Sequence, residues 1–156
     1  MNPVRRRNQV LDQMQRQLLG LDENFLVDSP ELNSRFHPAT LAAVLDLRAR
    51  AAKFDFDLRI ASSFRSFERQ LLIWNNKALG LRPVLDSTGV PLDIHRLSKR
   101  EKVFAILRWS ALPGASRHHW GRDFDVYGAS YIDANCQVQL TVAETKTGCP
   151  FTEFHP

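Results

Sequence analysis

The chain has 156 residues, of which 44% are hydrophobic and 24% are charged, and its net charge is +4 at pH 7. This length and balance are typical of one soluble globular domain. No apolar run approaches the ~20 residues of a membrane span, which excludes a transmembrane protein. The positive charge favours anionic partners such as nucleic acid, acidic lipid or a wall polymer. Because its one tight run is Arg5-Arg6-Arg7, we interpret the charge as a solvated basic N-terminus.

Two helices are predicted in the first third of the chain. The first ends at Gly20, and the apolar residues that recur at helical spacing are Val10, Leu11, Met14 and Leu18. The second begins at Pro38, because proline is well suited to the first position of a helix. Its predicted core-facing residues are Leu41, Val44, Leu45 and Ala52.

A strand and a third helix follow. Residues 57–62 alternate polar and apolar side chains, which predicts a half-buried strand. Ser66 can cap the helix, and Glu68 stands in its first turn, where the helix dipole favours negative charge. The residues predicted to line one side of this helix are Phe67, Leu71, Trp74 and Ala78.

The second half of the chain begins with residues 80–93, whose prolines and glycines predict a surface loop. Ser98 and Glu101 have the spacing of a capping box, which opens a helix predicted to reach Trp109. Residues 137–142 are predicted to form a late strand.

Residues 122–127 also alternate, with Phe124 and Val126 on one face and carboxylates on the other, so we predict a strand beneath a polar site. Helices early and strands late predict an α+β fold, with an antiparallel sheet flanked by helices.

The segment from Ser116 to Asp125, SRHHWGRDFD, carries the strongest functional signal. His118 and Asp125 offer an imidazole nitrogen and a carboxylate oxygen, which are both good ligands for zinc. Gly121 between them allows a tight reversal of the chain, so both side chains can converge on one ion. From these residues alone, metal ligation and a structural hydrogen-bonded pair both stay open.

The frame Ser-x-His-x-x-Gly-x-x-x-Asp in this segment resembles the signature of the zinc D-alanyl-D-alanine carboxypeptidases. That family, with its VanX and VanY enzymes, is grouped with lysostaphin-type peptidases and hedgehog domains. The resemblance implies a hedgehog-like peptidase fold, Zn²⁺ held by His118 and Asp125, and a substrate contact from Ser116. A turn-capping role for Ser116 stays open. Asp123 departs from the family, which usually has a small residue there, and could orient a ligand or be an extra polar group.

A second segment, Ile60 to Gln70 (IASSFRSFERQ), is similar to another motif of the same family. The similarity implies that Arg65 lies over the metal, where its guanidinium can hold the scissile carbonyl and the oxyanion that develops from it. It also implies a substrate-side contact from Gln70. The alternatives are a surface arginine at a helix start and a solvated helical glutamine.

A catalytic zinc needs a third protein ligand, and peptide hydrolysis needs a general base. In the family both come from a late Glu-x-Trp-His motif, whereas this chain offers only Glu153 and His155, with a different spacing and no tryptophan before the histidine. We therefore expect the third ligand beyond Pro156. Within this chain His155 is only a weak candidate for that ligand, and Glu153 only a weak candidate for the base. The prediction is a single peptidase domain over residues 1–156, shortened at its C-terminal end, with residues 1–34 as an N-terminal helical extension.

The resemblance covers roughly residues 35–145 and implies a zinc-dependent peptidase of bacterial cell-wall peptides, with D-Ala-D-Ala carboxypeptidase as the leading activity. Its partner would be a peptidoglycan stem peptide or another peptide that ends in D-Ala-D-Ala. Endopeptidase or dipeptidase specificity stays open, as does a non-catalytic peptidoglycan-binding or regulatory domain on the same fold. A nucleic-acid binder is suggested only by charge and leaves the carboxylates beside His118 unexplained.

Several residues have less decisive interpretations. We expect His119 to point away from His118, Trp74 and Trp109 to pack in the core, and Trp120 to wall the cleft. Cys136 and Cys149 could form a disulfide in an oxidising compartment and would stay reduced in a cytosol. We expect a cytoplasmic protein if Met1 is the native start, and a protein of the cell envelope or periplasm if a leader was removed.

Overall fold

The computed structural model describes residues 10–132 together with residues 138, 140, 144 and 151. Within this part, helices alternate with short strands and a few 3-10 turns. The helices are α1 (Gln13–Leu18), α2 (Pro38–Ala52), α3 (Phe67–Ala78) and α4 (Lys99–Leu107). The strands are β1 (Val27–Ser29), β2 (Ser34–Phe36), β3 (Leu58–Ser62) and β4 (Asp125–Gly128). This mixture of helices and small antiparallel sheets confirms the predicted α+β class.

The helices begin at the capping residues that the sequence predicts. Helix α2 has Pro38 in its first turn, and the Ser66 hydroxyl accepts a hydrogen bond from the backbone N–H of Arg69 at the start of α3. Ser98 and Glu101 form the capping box of α4. This helix ends at Leu107, short of the predicted end, and the Trp109 indole beyond it donates to backbone carbonyls of the 80–93 segment.

The core cluster lies between α3, α4 and the segment that connects them. Its buried residues are Val84, Ile94 and Ile106, and Trp74 and Ala78 of α3 pack against it. The prediction of a surface loop over residues 80–93 is therefore wrong at Val84, which is only 2% exposed. This side chain turns inward because the segment folds back on itself through a bridge between Leu85 and Pro91.

Two other predicted apolar faces are less buried than expected. Of the four residues predicted to face the core on α2, Val44 is buried and Ala52 is exposed. The apolar residues predicted for the first helix are all exposed, because this short helix contacts little more than the 3-10 turn Arg117–Trp120. None of the described helices is long and apolar enough to cross a membrane.

The strands form two antiparallel pairs, and the second pair positions the candidate site. Strand β1 pairs with β2, and β3 pairs with β4 in a register that places Ser62 opposite Asp125. The register of the pair shifts between Ile60 and Ser62, and an irregularity of this kind bends the end of a strand. The predicted strand over residues 137–142 and the Cys136–Cys149 question fall largely or wholly outside the described residues.

Candidate active site

The structure brings His118 and Asp125 together. His118 lies in the 3-10 turn Arg117–Trp120, and Gly121 ends that turn in the left-handed conformation, with φ 62°. The chain then reverses into β4, so that His118 Nε2 lies 3.4 Å from Asp125 Oδ2. Two ligands bound tetrahedrally to one zinc ion would be roughly 3.4 Å apart, given metal–ligand distances of about 2.0–2.2 Å. The separation therefore fits a shared metal ion.

The backbone fixes the orientation of the His118 ring. Its Nδ1 lies 3.0 Å from the carbonyl oxygen of Ser63 and 3.1 Å from that of Asp123. Carbonyl oxygens only accept, so Nδ1 carries a proton and Nε2 is the nitrogen that faces Asp125. A metal-binding histidine usually holds its second nitrogen in this way, which sets the tautomer that a ligand through Nε2 requires.

Asp123, the departure from the family pattern, lies near Arg117 and His118. Its Oδ2 is 3.5 Å from a guanidinium nitrogen of Arg117 and 4.0 Å from His118 Nε2. The described residues contain no group of three side chains suited to hold a metal ion. Glu153 and His155 lie outside the described residues, so the third ligand and the base stay predictions.

Arg65 lies between the metal-binding candidates and α3. Its backbone N–H donates to the carbonyl of His118 at 3.1 Å, which connects the two sequence motifs directly. Its guanidinium donates to Ser62 Oγ at 2.8 Å and to Gln70 Oε1 at 2.9 Å. Burial lowers the pKa of Arg65, and the nearby Asp125 carboxylate acts in the opposite direction. Because both terminal nitrogens are hydrogen-bonded, the plane of the guanidinium is fixed, as stabilisation of a developing negative charge requires.

Gln70 and Ser116, the two predicted substrate contacts, are both buried. Gln70 is 0% exposed, and its amide donates to the carbonyl of Ala111 at 2.6 Å while its oxygen accepts from Arg65. Ser116 is 3% exposed and caps no helix. In this arrangement Gln70 positions Arg65. Neither Gln70 nor Ser116 lines the cavity that lies beside Arg65, so a direct contact with substrate stays a prediction.

His119 contributes more to the site than its sequence position suggests. Its ring is fully buried and points away from His118: Nδ1–H donates to the carbonyl of Arg65 at 2.6 Å, and Nε2 accepts from the N–H of Gly114 at 3.1 Å. One donor and one acceptor define a neutral imidazole, and burial lowers the pKa of His119 in agreement. The sequence gives no signal for this bridge beyond the neighbouring motif.

The predicted tryptophan positions are partly confirmed. Trp74 packs against the core cluster, as expected. Trp109 is half-buried and lines a cavity beside Arg65. Trp120 is 41% exposed, and its indole donates to the carbonyl of Leu18, so in the described structure it lies on α1 and does not line that cavity.

The cavity beside Arg65 has a volume of about 910 Å³. The end of β3 and the turn after it, Ser62 to Arg65, form the wall nearest the His118–Asp125 pair. Its apolar surface includes Ile73, Leu85 and Trp109. The arrangement and the size of this cavity allow a peptide to lie in it with one of its peptide bonds near Arg65.

Comparison with known proteins shows the family to which the chain belongs. The profile of the family described as VanY, D-alanyl-D-alanine carboxypeptidase, matches residues 33–151. An uncharacterized protein of Haemophilus influenzae is 47% identical over 98 residues, which are 61% of this chain and 67% of that protein.

Two solved structures share the fold. One is a mutant of the vancomycin-resistance D,D-pentapeptidase VanY from the VanB-type cassette in complex with Zn(II), with a TM-score of 0.51 and 22% identity. The other is VanYB in complex with D-alanine-D-alanine, with a TM-score of 0.52 and 21% identity. The matches cover 67% of this chain and 52% and 51% of those structures, so the chain spans about half of their length. Because the family profile matches most of its residues, the chain belongs to the VanY family of D-alanyl-D-alanine carboxypeptidases.

Proposed function

We propose that this chain carries part of the active site of a zinc-dependent peptidase that removes the terminal residue from D-Ala-D-Ala-ended cell-wall peptides. The observation that carries the proposal is the 3.4 Å approach of His118 Nε2 to Asp125 Oδ2, with the Nδ1 proton of His118 committed to backbone carbonyls. The family and the D-alanine-D-alanine complex of the related VanYB support the choice of substrate.

His118 and Asp125 would hold the metal. Zinc bound to such ligands acts as a Lewis acid toward a carbonyl group and lowers the pKa of its water to near 7. The two carbonyl contacts hold the Nδ1 side of the His118 ring and turn Nε2 toward Asp125, which is fixed at the first position of β4 opposite Ser62. The chain thus presents both ligands without a rearrangement of the backbone.

Arg65 would bind the substrate carbonyl and stabilise the negative charge that develops on its oxygen. A guanidinium remains charged at neutral pH and offers several N–H groups in one plane. Ser62 and Gln70 each accept from a different terminal nitrogen of Arg65, so the plane is fixed while other N–H groups remain for a ligand. Removal of one donor of this kind typically costs about 10²–10³-fold in turnover.

Replacement of His118 by alanine tests the proposal in the full-length protein. We expect His118→Ala to abolish the release of D-alanine from a D-Ala-D-Ala peptide while the circular dichroism spectrum and the melting temperature stay close to those of the parent. His95→Ala is a suitable control because that histidine is exposed and remote from the site. Normal release of D-alanine by the His118→Ala protein would overturn the assignment.

A second candidate is a domain that binds peptidoglycan peptides without cleaving them. Such a domain would keep the substrate cavity and have no complete set of three metal ligands; the candidate third ligand, His155, lies outside the described residues. Hydrolysis assays with added zinc separate the candidates. A protein that binds a D-Ala-D-Ala peptide but releases no D-alanine at any zinc concentration is a binding domain. Cleavage between internal residues or of a free dipeptide would instead assign endopeptidase or dipeptidase specificity.

A further inference from the structure

The cavity beside Arg65 carries more positive charge than a single guanidinium for the scissile carbonyl requires. Besides Arg65, its walls include Arg69 and Lys77 of α3 and Arg82, which follows that helix. None of the described residues that line the cavity is an aspartate or a glutamate. The described walls of the cavity therefore carry a net positive charge, and a positive cleft with low-dielectric walls concentrates anions.

None of these four cations forms an ion pair with a carboxylate within the described part of the chain. The ion pairs of that part use other basic residues, namely Arg35, Arg48, Arg50, Arg59, Arg96, Arg117 and His118. The Lys77 ammonium instead donates to the hydroxyl of Ser110 at 2.7 Å, which is a neutral partner.

The charged form of Lys77 is destabilised by this arrangement of cations. Burial lowers the pKa of Lys77, and the charges of Arg82 and Arg65 lower it further. Arg69 and Arg82 likewise lower the pKa of Arg65. Lys77 and Arg65 are half-buried, whereas Arg69 and Arg82 are exposed. Like charges that lie close together destabilise one another, and an anion bound among them would relieve that repulsion.

Building on the proposed function, we propose that Lys77 and Arg82 form an anion subsite that binds a carboxylate of the peptide substrate outside the scissile bond. Arg65 belongs to both regions, since it contacts the His118 loop through its backbone and lines the cavity with its side chain. Ile73, Leu85 and Trp109 supply apolar surface for the peptide between the two ends. The carboxylate is that of the peptide C-terminus or of an acidic side chain upstream.

Binding measurements on the full chain test this subsite without relying on turnover. The probe is the N-acetylated peptide Glu-Lys-D-Ala-D-Ala, compared by titration calorimetry with two analogues, one with glutamine in place of glutamate and one with a terminal carboxamide. We expect one of the analogues to bind about tenfold more weakly, as two half-exposed charge contacts would give. The analogue that loses affinity identifies which carboxylate occupies the subsite, and equal binding of all three peptides overturns the proposal.

Charge-removing variants locate the effect. Lys77→Gln with Arg82→Gln should abolish the preference for the carboxylate, whereas Arg100→Gln, an exposed arginine of α4 that does not line the cavity, should leave it unchanged. Because Lys77 is half-buried, melting curves check folding, and Arg82→Gln alone serves if the double variant is unfolded. A preference that survives in the folded variants contradicts the subsite.

The outcomes also separate this subsite from the peptidase proposal. A chain that releases no D-alanine with added zinc, but prefers the carboxylate in a way that depends on Lys77 and Arg82, keeps the subsite and loses the peptidase assignment. A chain that cleaves all peptides alike, with unchanged affinity in the variants, keeps the peptidase assignment and loses the subsite.

Discussion

The backbone N–H of Arg65 donates to the carbonyl oxygen of His118 at 3.1 Å, and this hydrogen bond helps to join the two motifs that define the site. It fixes the turn after β3 against the turn before β4. The backbone therefore fixes the position of Arg65 relative to the His118–Asp125 pair. Substitutions of the residues around them should then change stability or turnover as argued below.

Replacement of Arg65 by lysine should lower kcat/KM for a D-Ala-D-Ala peptide by about 10²–10³-fold with only a small change in melting temperature. Lysine keeps the positive charge but loses the planar group that contacts both Ser62 and Gln70. The comparison variant is Arg59→Lys, because Arg59 is exposed and its guanidinium pairs only with Asp57 among the described residues. If Arg65→Lys retains the parent kcat/KM, the guanidinium has no role in turnover.

Removal of the Gln70 side chain should destabilise the protein by about 2–3 kcal/mol, because it leaves buried polar groups unsatisfied. The amide of Gln70 joins Arg65 to the carbonyl of Ala111 and is 0% exposed. Asn75→Ala is a matched control, since Asn75 is an exposed amide residue on the same helix. Denaturant unfolding of Gln70→Ala and Asn75→Ala checks this prediction, and equal free energies of unfolding would contradict it.

Replacement of His119 by glutamine should be less damaging than replacement by alanine. Glutamine can keep one donor toward the Arg65 carbonyl and one acceptor for the Gly114 N–H, whereas alanine leaves both groups unsatisfied. We expect His119→Ala to lose about 2–4 kcal/mol of unfolding free energy, and His119→Gln to lose clearly less. Equal losses in thermal or urea unfolding would show that ring volume, and not the hydrogen-bond bridge, is what matters.

Replacement of Gly121 by alanine should cost well over the roughly 1 kcal/mol of a left-handed residue alone. A Cβ at this position would lie 2.4 Å from Leu26 Cδ2 and 2.9 Å from the backbone nitrogen of His37. Gly89 is a control with the same backbone problem but no steric one, since it has φ +88° and a Cβ there would meet no atom within 4 Å. Similar unfolding free energies of Gly121→Ala and Gly89→Ala would contradict the packing argument.

Local signals in the sequence predicted much of this fold. Ser66 and Ser98 cap the predicted helices because a capping bond involves only residues within one helical turn. The convergence of His118 and Asp125 was also predictable, because a single tight reversal at Gly121 brings them together.

Contacts between distant segments were not predictable from local pattern. The burial of Gln70 depends on the carbonyl of Ala111, 41 residues away, and that of His119 on the carbonyl of Arg65, 54 residues away. The cationic cavity likewise lies between α3 and the β3–β4 pair, where Lys77 and Arg82 come near Arg65. Such features follow from tertiary packing, about which helix periodicity and capping signals carry no information.

Zinc stoichiometry and affinity of the full-length protein test the central claim most directly. The measurement is elemental analysis after dialysis, followed by zinc titration against a chromophoric chelator, on the parent protein and on His118→Ala and Asp125→Ala. Each variant should lose most of the zinc affinity, because both side chains would bind the same ion. Zinc content and affinity that stay at the parent value in both variants would contradict a metal site at His118 and Asp125.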